Sequence, residues 1–191
     1  MTEGTSTGPS HAEPTHKRRA RIRQSVSGLI LIVVLSLATN FFLVGNPVKS
    51  ALAKDSRNER FNLVAHYRYY IDPSTLVLDV RSLNEAAPVD LLRGLFQSAE
   101  ALHDEGRTFS KVILSRSRSA VFYLSGEDFY RMGEDYGRGE NVAYLMRTLP
   151  EKLYDPDGTH PYSTWTGGLL GVAIQQMKDV GDAGMRWGRG K

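Results

Sequence analysis

The sequence predicts an α+β protein: a single N-terminal transmembrane helix followed by one soluble domain, in which a sheet of about four strands packs against helices. Three observations predict it. An uncharged apolar run, Leu29–Val44, lies near the N terminus; two pairs of short segments carry strand-like apolar runs, the first pair with period two; and the segments between and after them repeat apolar residues every three to four positions.

Composition narrows the function classes. The chain has 191 residues and no cysteine, which excludes disulfides, thiolate nucleophiles and Cys-based zinc sites. Its net charge of +3 sits in the N-terminal arm, where Lys17, Arg18, Arg19, Arg21 and Arg23 face only Glu3 and Glu13. Basic and acidic residues balance over the rest of the chain. The folded part therefore lacks the basic surplus of a nucleic-acid binder, and no nucleic-acid partner is expected.

Residues 1–27 read as a flexible basic arm, because residues 1–16 have almost no apolar side chain to repay the entropy of ordering. Residues 28–45 read as the membrane span. From Ser27 to Gly45 a helix reaches about 28 Å, close to the roughly 30 Å hydrocarbon core of a bilayer. Ala51-Leu52-Ala53 has the form of a signal-peptidase site, but it lies far beyond Val44, and the apolar run is longer than the about 7–15 residues of a signal core. An uncleaved anchor is the expectation. A buried soluble helix would show a polar face that this run lacks. The basic block before the run outweighs Lys49, Lys54, Arg57 and Arg60, which Asp55 and Glu59 interrupt, so the N terminus is expected in the cytoplasm and the domain outside. Ser36, Thr39 and Asn40 fall at helical spacing and are candidates for contact with a partner helix.

Asn46-Pro47 is expected to end the membrane helix, with residues 46–60 as a polar linker holding at most a short helix near Ala51–Lys54. The domain is expected over residues 61–182. Phe61–Ile71 alternates apolar and polar residues, Asp72-Pro73-Ser74 is a turn signal, and Leu76–Ser82 alternates again, which predicts a hairpin. Pro88–Glu105 has a helical stripe of Leu91, Leu92, Leu95, Phe96, Ala99 and Leu102, its polar face (Arg93, Gln97, Glu100, Asp104) solvated. Lys111–Ser115 and Ala120–Leu124 predict a second strand pair around Arg116-Ser117-Arg118. Ser125 then caps a helix that Gly133, Gly137 and Gly139 keep short. A helix over Asn141–Tyr154 is interrupted at Pro150, and a last one runs from Gly168 to about Val180. Gly181, Gly184, Gly188 and Gly190 predict a flexible tail over residues 183–191.

Catalytic motifs fail one by one. Ser125-Gly126 lacks the nucleophile elbow, and no His lies near Ser115, Ser117 or Ser119 in sequence. Gly167-Gly168-Leu169-Leu170-Gly171 matches neither nucleotide loop, and Glu127/Asp128 and Glu134/Asp135 read as helix-end or solvated carboxylates. Of His66, His103 and His160, the last shares a loop with Asp155 and Asp157, the basis of an alternative reading as an envelope hydrolase or ligand-binding domain. Asp157 is equally explained by its Pro-Asp-Gly turn, and neither a metal site nor a cofactor is expected. Arg and aromatic side chains anchor interfaces, which makes Arg68, Tyr70, Arg116, Arg118 and Trp165 the interaction candidates. The function expected is a membrane-anchored interaction or accessory domain on the extracytoplasmic side, meeting a protein partner at or near the membrane.

Overall fold

The computed structural model describes residues 15–166 and 169–190. Residues 1–14, where a flexible arm is expected from the sequence, the glycines at 167 and 168, and Lys191 lie outside them. Two compact units are present, residues 1–36 and 37–191.

A helix, α1 (Thr15–Asn40), passes through a π-helical turn (Phe41–Gly45) into α2 (Asn46–Leu52). Two expectations are corrected here. The arm is helical from Thr15, where Lys17, Arg18, Arg19 and Ala20 are good helix formers. Asn46-Pro47 does not stop the helix. Proline lacks an N–H and its ring crowds the carbonyl four residues back, but the turn before it is widened, with the Asn46 N–H donating to the Phe41 carbonyl.

The sheet has the order β1-β2-β3-β4, formed by Phe61–Arg68, Asp72–Leu83, Lys111–Arg116 and Ser119–Ser125. The outer pairs are antiparallel hairpins. The inner pair is parallel, with Leu76 opposite Val112 and Leu78 opposite Leu114, because α3 (Pro88–Asp104) carries the chain back across the sheet. The helices α4 (Gly126–Gly137), α5 (Val142–Thr148) and α6 (Leu169–Arg189) complete the domain. Leu63, Ala65 and Tyr67 of β1, Leu76, Leu78 and Val80 of β2, Val112 and Leu114 of β3, and Phe122 and Leu124 of β4 belong to one buried cluster with the apolar stripe of α3 and with Phe129, Met132 and Trp187. The expected α+β architecture is thus present. Ser125 caps α4 as its position predicts, its Oγ accepting the Asp128 N–H at 3.0 Å.

The junction between helix and domain is packed. Asn40 is buried and clips the first hairpin: its Oδ1 accepts the Tyr67 N–H at 2.7 Å, and its Nδ2 donates to the Tyr70 carbonyl. These bonds engage the residue that had been a candidate for contact with a partner helix. The turn is displaced with respect to the sequence signal. Tyr69 and Tyr70, at φ 53° and 63°, make the reversal, while Asp72-Pro73-Ser74 opens β2 with the Asp72 carboxylate accepting the Ser74 N–H at 3.1 Å.

The residues 53–60 are not a loose linker either. Asp55 contacts Arg93 at 3.2 Å, Arg93 pairs with Asp90 at 2.8 Å, and Asn58 donates to Gln97 at 2.7 Å. This buries Arg93, which the helical stripe alone placed in solvent, because the connector folds over that face of α3. Asn40→Ala would leave the Tyr67 N–H without its acceptor, at a cost of about 1–3 kcal/mol. Faster hydrogen exchange at Tyr67, together with a lower denaturation midpoint, is the expected outcome.

Hydrogen bonds from Arg57, with Arg93 beside it, hold the Asp55 carboxyl well below the usual carboxylate range. A carboxylate so depressed stabilises the fold above its unfolded value of about 3.9, and that contribution is lost as pH falls through the folded value. Asp55→Asn is therefore expected to be less stable than wild type at neutral pH, the gap closing below about pH 4. Denaturation midpoints of the two proteins compared across pH check the sign.

The last helix overturns the flexible tail. α6 continues to Arg189, with Ala183 and Trp187 fully buried. Two of its glycines are contact points, while Gly171 and Gly181 meet nothing within 4 Å. A Cβ on Gly184 would lie 2.7 Å from Pro88 Cβ, and one on Gly188 would lie 2.8 Å from Leu83 Cδ1.

Candidate functional site

Helices cover one face of the sheet; the other carries the outward residues of all four strands. There β1 contributes His66 and Arg68, β2 Val77 and Arg81, β3 Ile113 and Ser115, and β4 Ala120 and Tyr123. The two turns add Tyr69, Tyr70 and Arg118, and together they line a groove of about 400 Å³. This is within the range of small-ligand sites, roughly 300–1,000 Å³. Period-two alternation is what puts these polar residues opposite the core positions Tyr67, Leu78 and Leu114.

The groove is cationic. Arg68, Arg81, Arg118 and His66 line it, and Lys111 Nζ lies 3.7 Å from the Tyr123 ring centroid. Two acidic residues lie against these cations: Asp72, opposite Arg68 in the hairpin, and Asp79, fully buried in the sheet, with Oδ2 2.8 Å from Arg81 Nε and Oδ1 accepting the Arg118 N–H at 3.0 Å. Asp79 thereby fixes the Ser117-Arg118 turn, held at φ 49° and 72°, over the end of the groove. At its floor Ser115 is 2% exposed, and its Oγ has no hydrogen-bond partner. His66 stacks on Tyr70 at 4.5 Å, and its Nδ1 sits 2.8 Å from the Tyr67 carbonyl. Arg68 donates to the Tyr69 hydroxyl at 3.0 Å, with its guanidinium 4.7 Å from that ring's centroid.

Of the five residues singled out in the sequence, three meet here: Arg68, Tyr70 and Arg118. Arg116 instead donates to the Val80 carbonyl at 2.8 Å and closes the turn from beneath. Trp165 is 36% exposed and donates its indole N–H to Asp179 at 2.6 Å, which ties the preceding loop to α6. Arg81, Ser115 and Tyr123 escaped the sequence reading. The signal available for Arg81 was its place beside Asp79 on the polar side of β2; for Ser115 and Tyr123 only the strand pairing brings them into range.

The loop Asp155–His160 is occupied by structural work. Asp155 pairs with Arg186 at 2.7 Å, Asp157 accepts the Thr159 N–H at 2.9 Å, and the His160 ring lies 4.0 Å from that of Tyr154. Tyr162 continues the strap, donating to Asp182 at 2.8 Å, with burial and that carboxylate keeping its phenol well above the usual value. Among the described residues no group of three or more His, Asp or Glu side chains is placed to hold a metal ion. A second cavity, of about 760 Å³, runs along β1 and is lined by Lys49 and by Asn40, Asp55 and Asn58, the last three of which serve the junction already described.

Fold and site define a class: a helix-and-sheet domain behind one apolar N-terminal helix, Ser27–Leu52, that is long and apolar enough to cross a membrane. Comparison with protein-family models, with curated proteins and with solved structures gives no match.

Proposed function

We propose that the chain is a membrane-tethered binding domain, held at the extracytoplasmic surface, whose open sheet face takes an acidic, extended segment of a protein partner. The observation that carries this reading is the convergence of Arg68, Arg81 and Arg118 on one groove, where Asp79 is buried and paired with Arg81, and Asp72 lies opposite Arg68 at the hairpin end, so that Arg118 adds a cationic side chain beyond these two pairs. Guanidinium groups match carboxylates with two parallel hydrogen bonds, and tyrosine rings supply rigid contact area beside them. The floor hydroxyl of Ser115 offers a further donor. The basic block ahead of the helix supports the outward placement of the domain.

The alternative of an enzyme using the Asp155–His160 loop has less support, since both aspartates are committed to the loop's own contacts. A photocrosslinking residue in place of Tyr123, used in intact membranes, tests the binding reading. Arg68→Glu with Arg118→Glu is expected to abolish the adducts while stability stays within about 0.5 kcal/mol of wild type, both side chains being exposed. Adducts that persist at wild-type yield in the double variant would sink the groove as the interface.

A further inference from the structure

The hairpin clipped to the apolar helix has its own exposed tip. Tyr69 is 70% exposed and Ile71 72%, and on the helix Phe41 and Phe42 are 49% and 67% exposed. A two-residue turn with both φ values positive normally takes Asn-Gly, because bulky side chains are strained there. Tyrosine at both positions is therefore not explained by the turn.

Membrane thickness bears on the same place. The last basic residue before the apolar run is Arg23. Residues 24–36 reach only about 20 Å as a helix, whereas a hydrocarbon core is about 30 Å thick. The core must therefore take in residues 37 to about 43, the stretch in which the domain grips the helix. An unpaired amide at that depth costs several kcal/mol, and Asn40 is satisfied by the backbone of the hairpin, at Tyr67 and Tyr70. The hairpin thus accompanies the helix to the depth of Asn40.

We infer that the β1–β2 hairpin tip is a second membrane contact, with Tyr69, Tyr70 and Ile71 seated at the boundary between headgroups and acyl chains. Tyrosine is enriched at this depth because its ring is apolar and its hydroxyl polar. The tip and the helix then fix the domain against the bilayer at two points. The groove, which shares Arg68, Tyr69 and Tyr70 with the tip, opens beside the lipid surface.

This inference rests on the helix crossing a membrane, and the test separates the two. The chain has no cysteine, so single cysteines at Tyr69, Ile71 and, as a reference at the far end of β2, Glu85 can each carry one environment-sensitive fluorophore. The full-length variants are reconstituted in vesicles of phosphatidylcholine and phosphatidylglycerol. Expected are labels at 69 and 71 that are quenched several-fold more than the label at 85 by a nitroxide near the lipid headgroup, and shielded from aqueous iodide. Tip labels as open to iodide as the label at 85, in protein that floats with the vesicles, overturn the tip contact alone. Protein that fails to float overturns the span and the tip together.

Discussion

Trp187→Ala is expected to cost about 3–5 kcal/mol, the range for removing a large buried aromatic side chain. The indole is fully buried, and its N–H donates to the Ser115 carbonyl at 3.0 Å, so the variant loses both packing and the partner of a buried carbonyl. The loss reaches beyond one cavity. α6 holds the loop before it through Tyr162–Asp182, Trp165–Asp179 and Asp155–Arg186, and all three contacts depend on the helix staying docked. Chemical denaturation should show the lower midpoint, and proteolysis should begin within residues 155–166. A variant with wild-type stability would mean that α6 does not dock as described. Trp187→Phe, which keeps most of the volume but not the donor, should fall between the two.

Gly126→Ala has the second large effect. A Cβ at this position would lie 1.6 Å from the Phe109 carbonyl oxygen and 2.4 Å from its carbon. The obstacle is backbone, so no rotamer change relieves it. The start of α4 must separate from the segment entering β3, breaking the Gly126 N–H bond to the Ser110 carbonyl at 3.1 Å. Overpacking of this kind costs about 1–3 kcal/mol where side chains can yield, and a backbone clash belongs at the upper end. Gly139→Ala is a useful comparison. Its Cβ would meet nothing within 4 Å, and the penalty there comes only from its positive φ of 77°. Thermal melts of the two variants separate close approach from conformational strain.

Several features were legible in the chain because their causes are local. The apolar run announces itself by the absence of charge over a bilayer's length, α3 by its stripe from Leu91 to Leu102, and α4 by Ser125 and the acidic residues after it. Period two gave the polar side of the first strand, and with it Arg68; Tyr70 and Arg118 stood out as an aromatic and an arginine of the kind that anchors interfaces, Arg118 in the turn between the second strand pair. Their convergence with Arg81 and Ser115 was not legible, since residues from four strands become neighbours only through the sheet order and register. Trp165 and Arg116 looked equally available in the sequence, and each is tied to the domain by one hydrogen bond that spacing does not reveal.

The sequence by itself determined the apolar helix, the strand and helix segments and the failure of the common catalytic motifs, because these depend on side-chain period, caps and residue type along a few turns of chain. Tertiary structure decided the rest. The parallel central pair arises because α3 buries its stripe on the sheet only by crossing it. The reversal falls at Tyr69-Tyr70, where Asn40 accepts the Tyr67 N–H and donates to the Tyr70 carbonyl. Gly184 and Gly188, which in isolation weaken a helix, become the places where α6 comes close to Pro88 and Leu83, so that packing outweighs the propensity cost of about 1 kcal/mol per glycine.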